Sequence, residues 1–199
     1  MKATVLALVA CLSAMPVVAA EVHVREVRYV GDDGGQVPAA GEFRNPVVAG
    51  FHPDPSMVRV GEDFYLVNSS FGYFPGLPVF HSRDMVSWKQ IGNAIDRPSQ
   101  MKYGRDALTR GLFAATISHH DGVFYIANTC FYCDGGNYVV TARNPAGPWS
   151  DPVWLGFGGI DPSLFFDDDG RAWMVNNDIP QGKMRYDGHR AVYLQEFDI

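Results

Sequence analysis

The feature that most constrains the fold of this chain is a β-hairpin pattern that occurs three times along the sequence. Each copy has an apolar strand, a turn that carries Gly or Asp, and a second strand rich in aromatic and β-branched residues, which is typical of a hairpin. The copies begin at Asp54, Ala114 and Asp161, so their starts are 60 and 47 residues apart. The repeat predicts an all-β protein assembled from similar units.

A second strand pair follows each hairpin. Residues 78–88 and 138–149 each contain a strand, a polar turn and a Trp before a further short strand, whereas the third copy continues only through a strand at residues 192–197. Four-stranded units that recur at this spacing are typical of β-propeller blades. A β-sandwich is the alternative, but it does not predict paired hairpins. Because a propeller needs about four blades to close, two blades and most of a third predict a fragment of a longer propeller.

The composition agrees with short strands and turns and excludes several classes of protein. The 199 residues include 13 Phe, 9 Tyr, 4 Trp, 13 Pro and 21 Gly, which argues against a helical bundle. The hydrophobic fraction of 47% is too high for intrinsic disorder. The formal net charge is −6 and Lys and Arg are not clustered, so the chain lacks the basic patch of a nucleic-acid binder.

Residues 1–20 have the features of a secretory signal peptide. Lys2 gives a positive start, an apolar run follows, and small residues precede Glu21, which predicts cleavage after Ala20. The apolar run is too short for a comfortable membrane span. The sequence therefore predicts a secreted or periplasmic protein. The alternative is a lipoprotein anchored through Cys11, whose surroundings resemble a lipoprotein box.

Two cysteines, Cys130 and Cys133, remain after this cleavage. One C-x-x-C pair falls short of the roughly four ligands that structural zinc needs, and its strand-and-turn surroundings do not match a thioredoxin-like motif. A local disulfide and a pair of unreactive thiols are both compatible with an oxidising compartment. No metal ion and no other cofactor is expected from the sequence.

Two acidic residues take the same position in two copies of the repeat. Asp54 and Asp161 each open the first strand of a copy and precede a proline, which favours extended geometry before it and is tolerated where a strand begins. The first strand of a blade lines the central channel of a propeller, so both carboxylates are expected at one mouth of that channel. Ala114 holds this position in the second copy, so the fold does not itself require an acid. The alternative is that Asp-Pro-Ser merely forms a turn.

Convergent carboxylates in an exported, aromatic-rich protein indicate glycoside hydrolysis. One acid activates water while a second protonates the leaving oxygen, and inverting enzymes hold the two carboxyl groups about 6.5–9.5 Å apart. Sugars also need flat apolar walls for their C–H faces. Phe71, Tyr73, Phe74 and Phe113 are candidates for such walls, although a single aromatic residue more often belongs to the core.

Several motifs, in the correct order, resemble those of glycoside hydrolase family 43. They fall within residues 45–199 and occupy positions 45–47, 50–56, 71–76, 81–88, 96–100, 147–152 and 160–170. The resemblance implies a five-bladed β-propeller, of which this chain holds about the first three blades. It also implies a β-xylosidase or an α-L-arabinofuranosidase that acts by inversion on plant cell-wall oligosaccharides or aryl glycosides.

The resemblance implies roles for individual residues. Asp54 matches the general base, and Asp161 matches the acid that raises the pKa of the general acid and orients it. Phe71 matches an aromatic wall of the pocket for the terminal sugar, and Phe113 stands where many members have Trp, a departure on the leaving-group side. Two further candidates for substrate binding, His52 and Phe74, lie within the matching motifs.

The family's general acid is a Glu in a Glu-Gly-Pro-His motif of a later blade, and this motif does not occur in the 199 residues. The chain is therefore expected to be inactive alone.

The predicted organisation is a signal peptide at 1–20, a leader at 21–44 and an incomplete catalytic propeller at 45–199. An insert at 178–190 is expected to edge the pocket. A non-catalytic carbohydrate-binding propeller is the alternative function, and an invertase-like or levanase-like enzyme fits less well. The expected partner is a carbohydrate, with no nucleic acid, and the oligomeric state is not predicted.

Overall fold

The computed structural model describes residues 39–102, 109–133 and 135–199. The predicted signal peptide, Cys11 and most of the leader lie outside these residues. Eleven strands in the described part of the chain form three antiparallel sheets. No helix among the described residues is long and apolar enough to cross a bilayer.

Each sheet follows the chain order, and each begins with one copy of the repeated hairpin. The first sheet contains β1 (Ser56–Val60), β2 (Asp63–Val67), β3 (Gly76–Ser82) and β4 (Lys89–Ile95). The second contains β5 (Gly111–His120), β6 (Val123–Phe131), β7 (Gly136–Ala142) and β8 (Val153–Trp154). The third contains β9 (Ile160–Phe166), β10 (Ala172–Asp178) and β11 (Ala191–Phe197). The prediction of paired hairpins is confirmed, with two four-stranded sheets and a three-stranded one.

The turn between β5 and β6 shows why the hairpins form where they do. His120 pairs with Val123, so only Asp121 and Gly122 connect the two strands. Both of these residues have positive φ, 47° and 72°. A two-residue turn of this kind matches the right-handed twist of the flanking strands, and Asp-Gly is among the sequences that favour it.

The turn between β3 and β4 is organised by the carboxylate of Asp84. Its Oδ1 accepts hydrogen bonds from the backbone N–H groups of Ser87 and Val86, at 2.6 and 2.8 Å, and from the hydroxyl of Ser82. These bonds hold the pKa of the Asp84 carboxyl well below its usual range. Asn144 takes the corresponding place in the second sheet, where its Oδ1 accepts from a backbone N–H.

Apolar cores fill the spaces between neighbouring sheets, so the middle sheet is buried on both faces. On β6, Ile126 packs into the core shared with the first sheet, whereas Ala127 packs into the core shared with the third. The larger core includes Val67, Leu77, Ile95, Leu112, Tyr138 and Trp149, and the smaller includes Val139, Leu164, Ala172 and Met174. Because side chains alternate along a strand, successive residues of β6 face the first sheet and the third sheet in turn.

The first strands of the three sheets lie side by side, with β5 in the middle. The backbone N–H of Ile117 donates to the hydroxyl of Ser56 on β1, at 3.1 Å. On the other side, the hydroxyls of Thr116 and Ser118 donate to the carbonyls of Pro162 and Leu164 on β9, at 2.8 and 2.7 Å. The contacts between β5 and β9 advance together along both strands, so these strands run in the same direction.

The outer face of the third sheet is apolar and exposed. Leu164 and Met174 face the second sheet, and the alternate residues therefore point the opposite way. On that face Phe165, Val192 and Leu194 are 57%, 76% and 63% exposed. Exposed apolar area on one side of a sheet is a surface suited to packing against a further layer.

Candidate active site

Asp54 and Asp161 stand where their first strands begin, in backbone conformations that few residues adopt. Their φ angles are 51° and 57°. A positive φ is uncommon outside Gly but is found more often for Asp and Asn than for most residues. Both side chains are exposed to solvent.

A β-bulge produces this geometry at Asp161. Ser163 pairs with Val175 and Ile160 pairs with Asn177, so β9 has one more residue than β10 between the two pairs. The extra residue turns the chain locally and re-aims the side chain at the bulge. The first sheet has the same count, because Ser56 pairs with Val67 while the carbonyl of residue 53 accepts from the N–H of residue 69.

A buried Asn in each sheet holds the backbone at the start of the first strand. The side-chain amide of Asn68 donates to the carbonyls of His52 and Pro53, both at 3.0 Å. The amide of Asn128 donates to the carbonyls of Phe113 and Ala114, and that of Asn176 donates to the carbonyl of Gly158. All three Asn residues are at most 4% exposed. This residue type at the end of each second strand therefore fixes the loop from which the site residues project.

The residue after each of two buried Asn residues contacts the acid of the same sheet. The hydroxyl of Ser69 donates to Oδ2 of Asp54 at 2.6 Å. The side-chain amide of Asn177 donates to Oδ2 of Asp161 at 2.9 Å. Hydrogen bonds to a carboxylate are short and strong, so each bond orients one carboxylate and leaves the other oxygen free for chemistry.

The two acids lie at the same end of the row of first strands. Asp54 precedes β1 by two residues and Asp161 is the second residue of β9, and β5 separates the two strands. Because β5 and β9 run in the same direction, Asp161 lies next to the start of β5, where Ala114 stands. The second sheet thus contributes backbone rather than a third carboxylate between the two acids.

An aromatic row begins at this same end of the strands. The rings of Phe71 and Phe113 meet edge to face with centroids 5.8 Å apart. Phe51 lies 6.0 Å from Phe71 on one side, and Phe131 stacks on Phe113 at 5.0 Å on the other. The backbone of Phe71 pairs with Leu112 through bonds of 2.8 and 3.0 Å, which joins the first and second sheets beside the acids.

The disulfide between Cys130 and Cys133 closes the turn after β6 next to this row. The turn carries Phe131 and Tyr132, and the guanidinium of Arg110 lies over the Tyr132 ring at 4.2 Å. Of the two alternatives for this cysteine pair, the structure contains the local disulfide rather than two thiols.

Of the two remaining predicted binding residues, His52 lines a cavity with Phe51, Tyr73 and Ser69. The His52 ring meets Phe80 edge to face at 5.2 Å, and its Nδ1 is buried without a hydrogen-bond partner among the described residues. Phe74 is 46% exposed and makes no ring contact with the rest of the described chain. Tyr73 does join the row, through Phe51 at 5.9 Å.

The contacts of Ser69 and Asn177 were not predicted from the sequence, although a signal for them exists. Val-Asn-Ser, Ala-Asn-Thr and Val-Asn-Asn occur at 67–69, 127–129 and 175–177, at equivalent points of the three copies. The Asn of each triplet donates to the backbone at the start of the first strand, and in the first and third copies the residue after it donates to the acid. Among the residues that the structure describes, no group of three or more His, Cys, Asp or Glu could hold a metal ion.

The sequence model of glycosyl hydrolases family 43 matches residues 43–199. The chain therefore belongs to this family, which confirms the resemblance over residues 45–199. Solved members are five-bladed β-propellers, and the three sheets described above are part of such a propeller.

Individual relatives support the same assignment. A xylosidase/arabinosidase of Butyrivibrio fibrisolvens is 50% identical over 158 residues, which are 78% of this chain and 30% of that protein. A non-reducing end alpha-L-arabinofuranosidase of Bacteroides ovatus is 52% identical over 139 residues, 68% of this chain and 26% of that protein. The crystal structure of a GH43_12 protein from a capybara gut metagenome has a TM-score of 0.74 at 45% identity, covering 79% of this chain and 30% of that one. The chain thus spans about a third or less of the length of these relatives.

Proposed function

We propose that the protein is a glycoside hydrolase that releases xylose or arabinose from xylan-derived or arabinan-derived glycosides by single displacement with inversion. The observation that carries the proposal is the pair of oriented carboxylates, Asp54 and Asp161, at one end of the row of first strands, on the two strands that flank β5. The family assignment and the names of the relatives support a carbohydrate substrate of this class.

Asp54 is the general base in this proposal. Its Oδ2 is occupied by the Ser69 hydroxyl, so Oδ1 is left to take the proton from an attacking water. The exposed side chain gives that water access. General-base catalysis by a positioned carboxylate contributes about 10²–10⁴ in rate.

Asp161 is the electrostatic partner of the general acid. A negative charge near a carboxylic acid disfavours its ionisation and raises its pKa, which keeps the proton on the acid until it is transferred. The family places that acid in a later blade than those described here. The Asn177 amide fixes the direction in which the Asp161 charge is presented.

The aromatic row is the sugar-binding wall. Phe71 and Phe113 present half-buried rings, and Phe71 follows Ser69, the partner of Asp54, by two residues, so the C–H face of a pentose can pack against these rings. Phe113 has a smaller ring than the Trp of many family members and stacks on Phe131. We therefore place the choice of leaving group at Phe113.

The alternative proposal is a propeller that binds carbohydrate without hydrolysing it. The exposed rings of Phe51, Tyr73 and Tyr132 favour it, because a chain of exposed aromatics is suited to holding an extended sugar polymer. The two proposals differ in one respect only, since a binder has no use for an oriented base.

The test uses the full-length product of the gene that encodes this chain. The parent and Asp54→Asn are assayed on 4-nitrophenyl β-D-xylopyranoside and α-L-arabinofuranoside, and NMR reports the anomer released first. We expect hydrolysis with inversion by the parent and a loss of at least about 10²-fold in Asp54→Asn, with binding of a xylo-oligosaccharide retained. Near-normal turnover by Asp54→Asn refutes the base assignment, and binding by an inactive parent favours the alternative.

We also propose that the protein is exported with its first 20 residues removed. Amino-terminal sequencing of the protein recovered from culture medium or periplasm should begin at Glu21. A mature chain that begins at a lipid-modified Cys11 would establish the lipoprotein instead.

A further inference from the structure

The insert between β10 and β11 is fastened beside Asp161 at both of its ends. The Tyr193 hydroxyl on β11 donates to the carbonyl of Ile179 at 2.8 Å and accepts from the N–H of Gln181 at 3.0 Å. At the other end, Nε of Arg190 donates to Oδ1 of Asn177 at 3.1 Å, and a terminal nitrogen donates to the Asn177 carbonyl at 3.3 Å. Arg190 therefore binds Asn177, whose side chain donates the hydrogen bond to the Asp161 carboxylate that is seen among the described residues.

These contacts place Asn177 between a cation and an anion. Its side-chain nitrogen donates to Asp161 at 2.9 Å and to the carbonyl of Ile160 at 3.4 Å, while its side-chain oxygen accepts from Arg190. An amide that flipped by 180° would turn its oxygen toward the carboxylate, and two acceptors would then face each other. A guanidinium has donors only. Arg190 on the oxygen side, and the more distant Ile160 carbonyl on the nitrogen side, thus stabilise the amide orientation that can hold Asp161.

We propose that Arg190 is a positioning residue, which acts through Asn177 to hold the Asp161 carboxylate in the direction that hydrolysis requires. The inference rests on the proposed function. It predicts a difference between the two acids, because Ser69 holds Asp54 without help. A hydroxyl rotates freely and is both donor and acceptor, so no third residue is needed to orient it.

This difference supplies the experiment, a double-mutant cycle with Arg190→Gln and Asn177→Ser in the full-length product. In the parent background Arg190→Gln should lower kcat by about 10-fold to 100-fold, since a misplacement of about 1 Å can cost about 10²-fold. KM should change little, and the alkaline limb of the pH–rate profile should move to lower pH. In the Asn177→Ser background the same substitution should cost about twofold or less.

The double-mutant cycle separates positioning through the Asn177 side chain from two simpler effects of Arg190→Gln, the loss of a charge and the loss of a bond to the backbone. Loss of the Arg190 charge, and of its bond to the backbone carbonyl of residue 177, is common to both backgrounds. If Arg190 only fastened the insert, the loss of kcat would be equal in the two, and that result overturns the proposal. Lys183→Gln is the matched control, because Lys183 is an exposed cation of the same insert and does not contact Asn177 through a hydrogen bond as Arg190 does. It should retain the kcat of the parent.

A second measurement separates this inference from the proposed function. The side-chain amide of Asn177 should give one resolved pair of ¹H–¹⁵N signals in the parent and in Lys183→Gln. In Arg190→Gln the pair should move toward the positions of a mobile amide. Unchanged Asn177 signals in Arg190→Gln overturn the positioning role whether or not the protein is active. Absence of hydrolysis by the parent refutes the proposed function instead.

Discussion

The substitution Asn68→Ala tests whether the hydrogen bonds from Asn68 to the backbone before β1 hold Asp54 in its catalytic position. The Asn68 amide donates two bonds of 3.0 Å to the carbonyls of His52 and Pro53, immediately before Asp54. Asp54 sits at φ 51°, a conformation that persists only where the surrounding structure enforces it. We expect Asn68→Ala to release this backbone and let the carboxylate leave its position.

The magnitude follows from the two bonds. A typical hydrogen bond contributes about 0.5–1.5 kcal/mol net, so two contribute about 1–3 kcal/mol. Oδ1 of Asn68 is buried without a partner among the described residues, and its removal recovers part of the loss. The free energy of unfolding should therefore fall by about 2 kcal/mol. Displacement of Asp54 by about 1 Å should lower kcat by about 10²-fold.

Asn128→Ala is the matched control, because it removes the same clamp from the second sheet. Its amide holds the carbonyls of Phe113 and Ala114, at 2.7 and 3.1 Å, and no acid stands there. Urea unfolding should show a similar loss of stability in both variants. Asn68→Ala should act on kcat, and Asn128→Ala should act on KM through Phe113. An equal loss of kcat in the two variants, with equal stability, would refute the argument.

Three further predictions concern charge and edges. Asp161→Asn should move the alkaline limb of the pH–rate profile to lower pH and lower kcat, because the general acid loses the charge that raises its pKa. The depressed pKa of Asp84 stabilises the fold above the unfolded value of about 3.9, and that stability is lost as the pH falls further. Asp84→Asn should therefore flatten the pH dependence of the melting temperature in this acid range. Residues 21–199 expressed alone should aggregate and hydrolyse no aryl glycoside, because Phe165, Val192 and Leu194 are exposed.

Each of these has an outcome that contradicts it. An unchanged pH–rate profile in Asp161→Asn would mean that the carboxylate only caps its strand. If the melting temperatures of Asp84→Asn and the parent fall in parallel as the pH is lowered, the loss of stability in acid belongs to other groups. One such group is Asp63, whose pKa is lowered by His81 and Arg83. A sharp melt with hydrolysis by residues 21–199 would place the proton donor among the carboxylic acids of this chain, with Glu42, Glu62 and Glu196 to be tested first.

The sequence by itself was sufficient for the architecture and for the position of the two acids. Hairpin periodicity is local, since strand alternation and Asp-Gly turns act within about ten residues, and three copies made the repeat visible. The equivalence of Asp54, Ala114 and Asp161 followed from the same repeat. Phe71 and Phe113 were predicted only as separate candidate walls, and the contact between their rings at 5.8 Å was not predicted.

Only the tertiary structure decided which residues contact these acids and where the candidate binding residues lie. The bond from Ser69 to Asp54 and the path from Arg190 through Asn177 to Asp161 depend on bulges that shift the register by one residue. His52 was predicted as a binding residue from its place in a motif, and the structure shows that it packs against Phe80 and lines a cavity with Phe51 and Tyr73. A shift of one residue turns a side chain to the opposite face of a sheet, so contacts between residues 15 or 16 positions apart are set by register and bulges, which local sequence pattern does not encode.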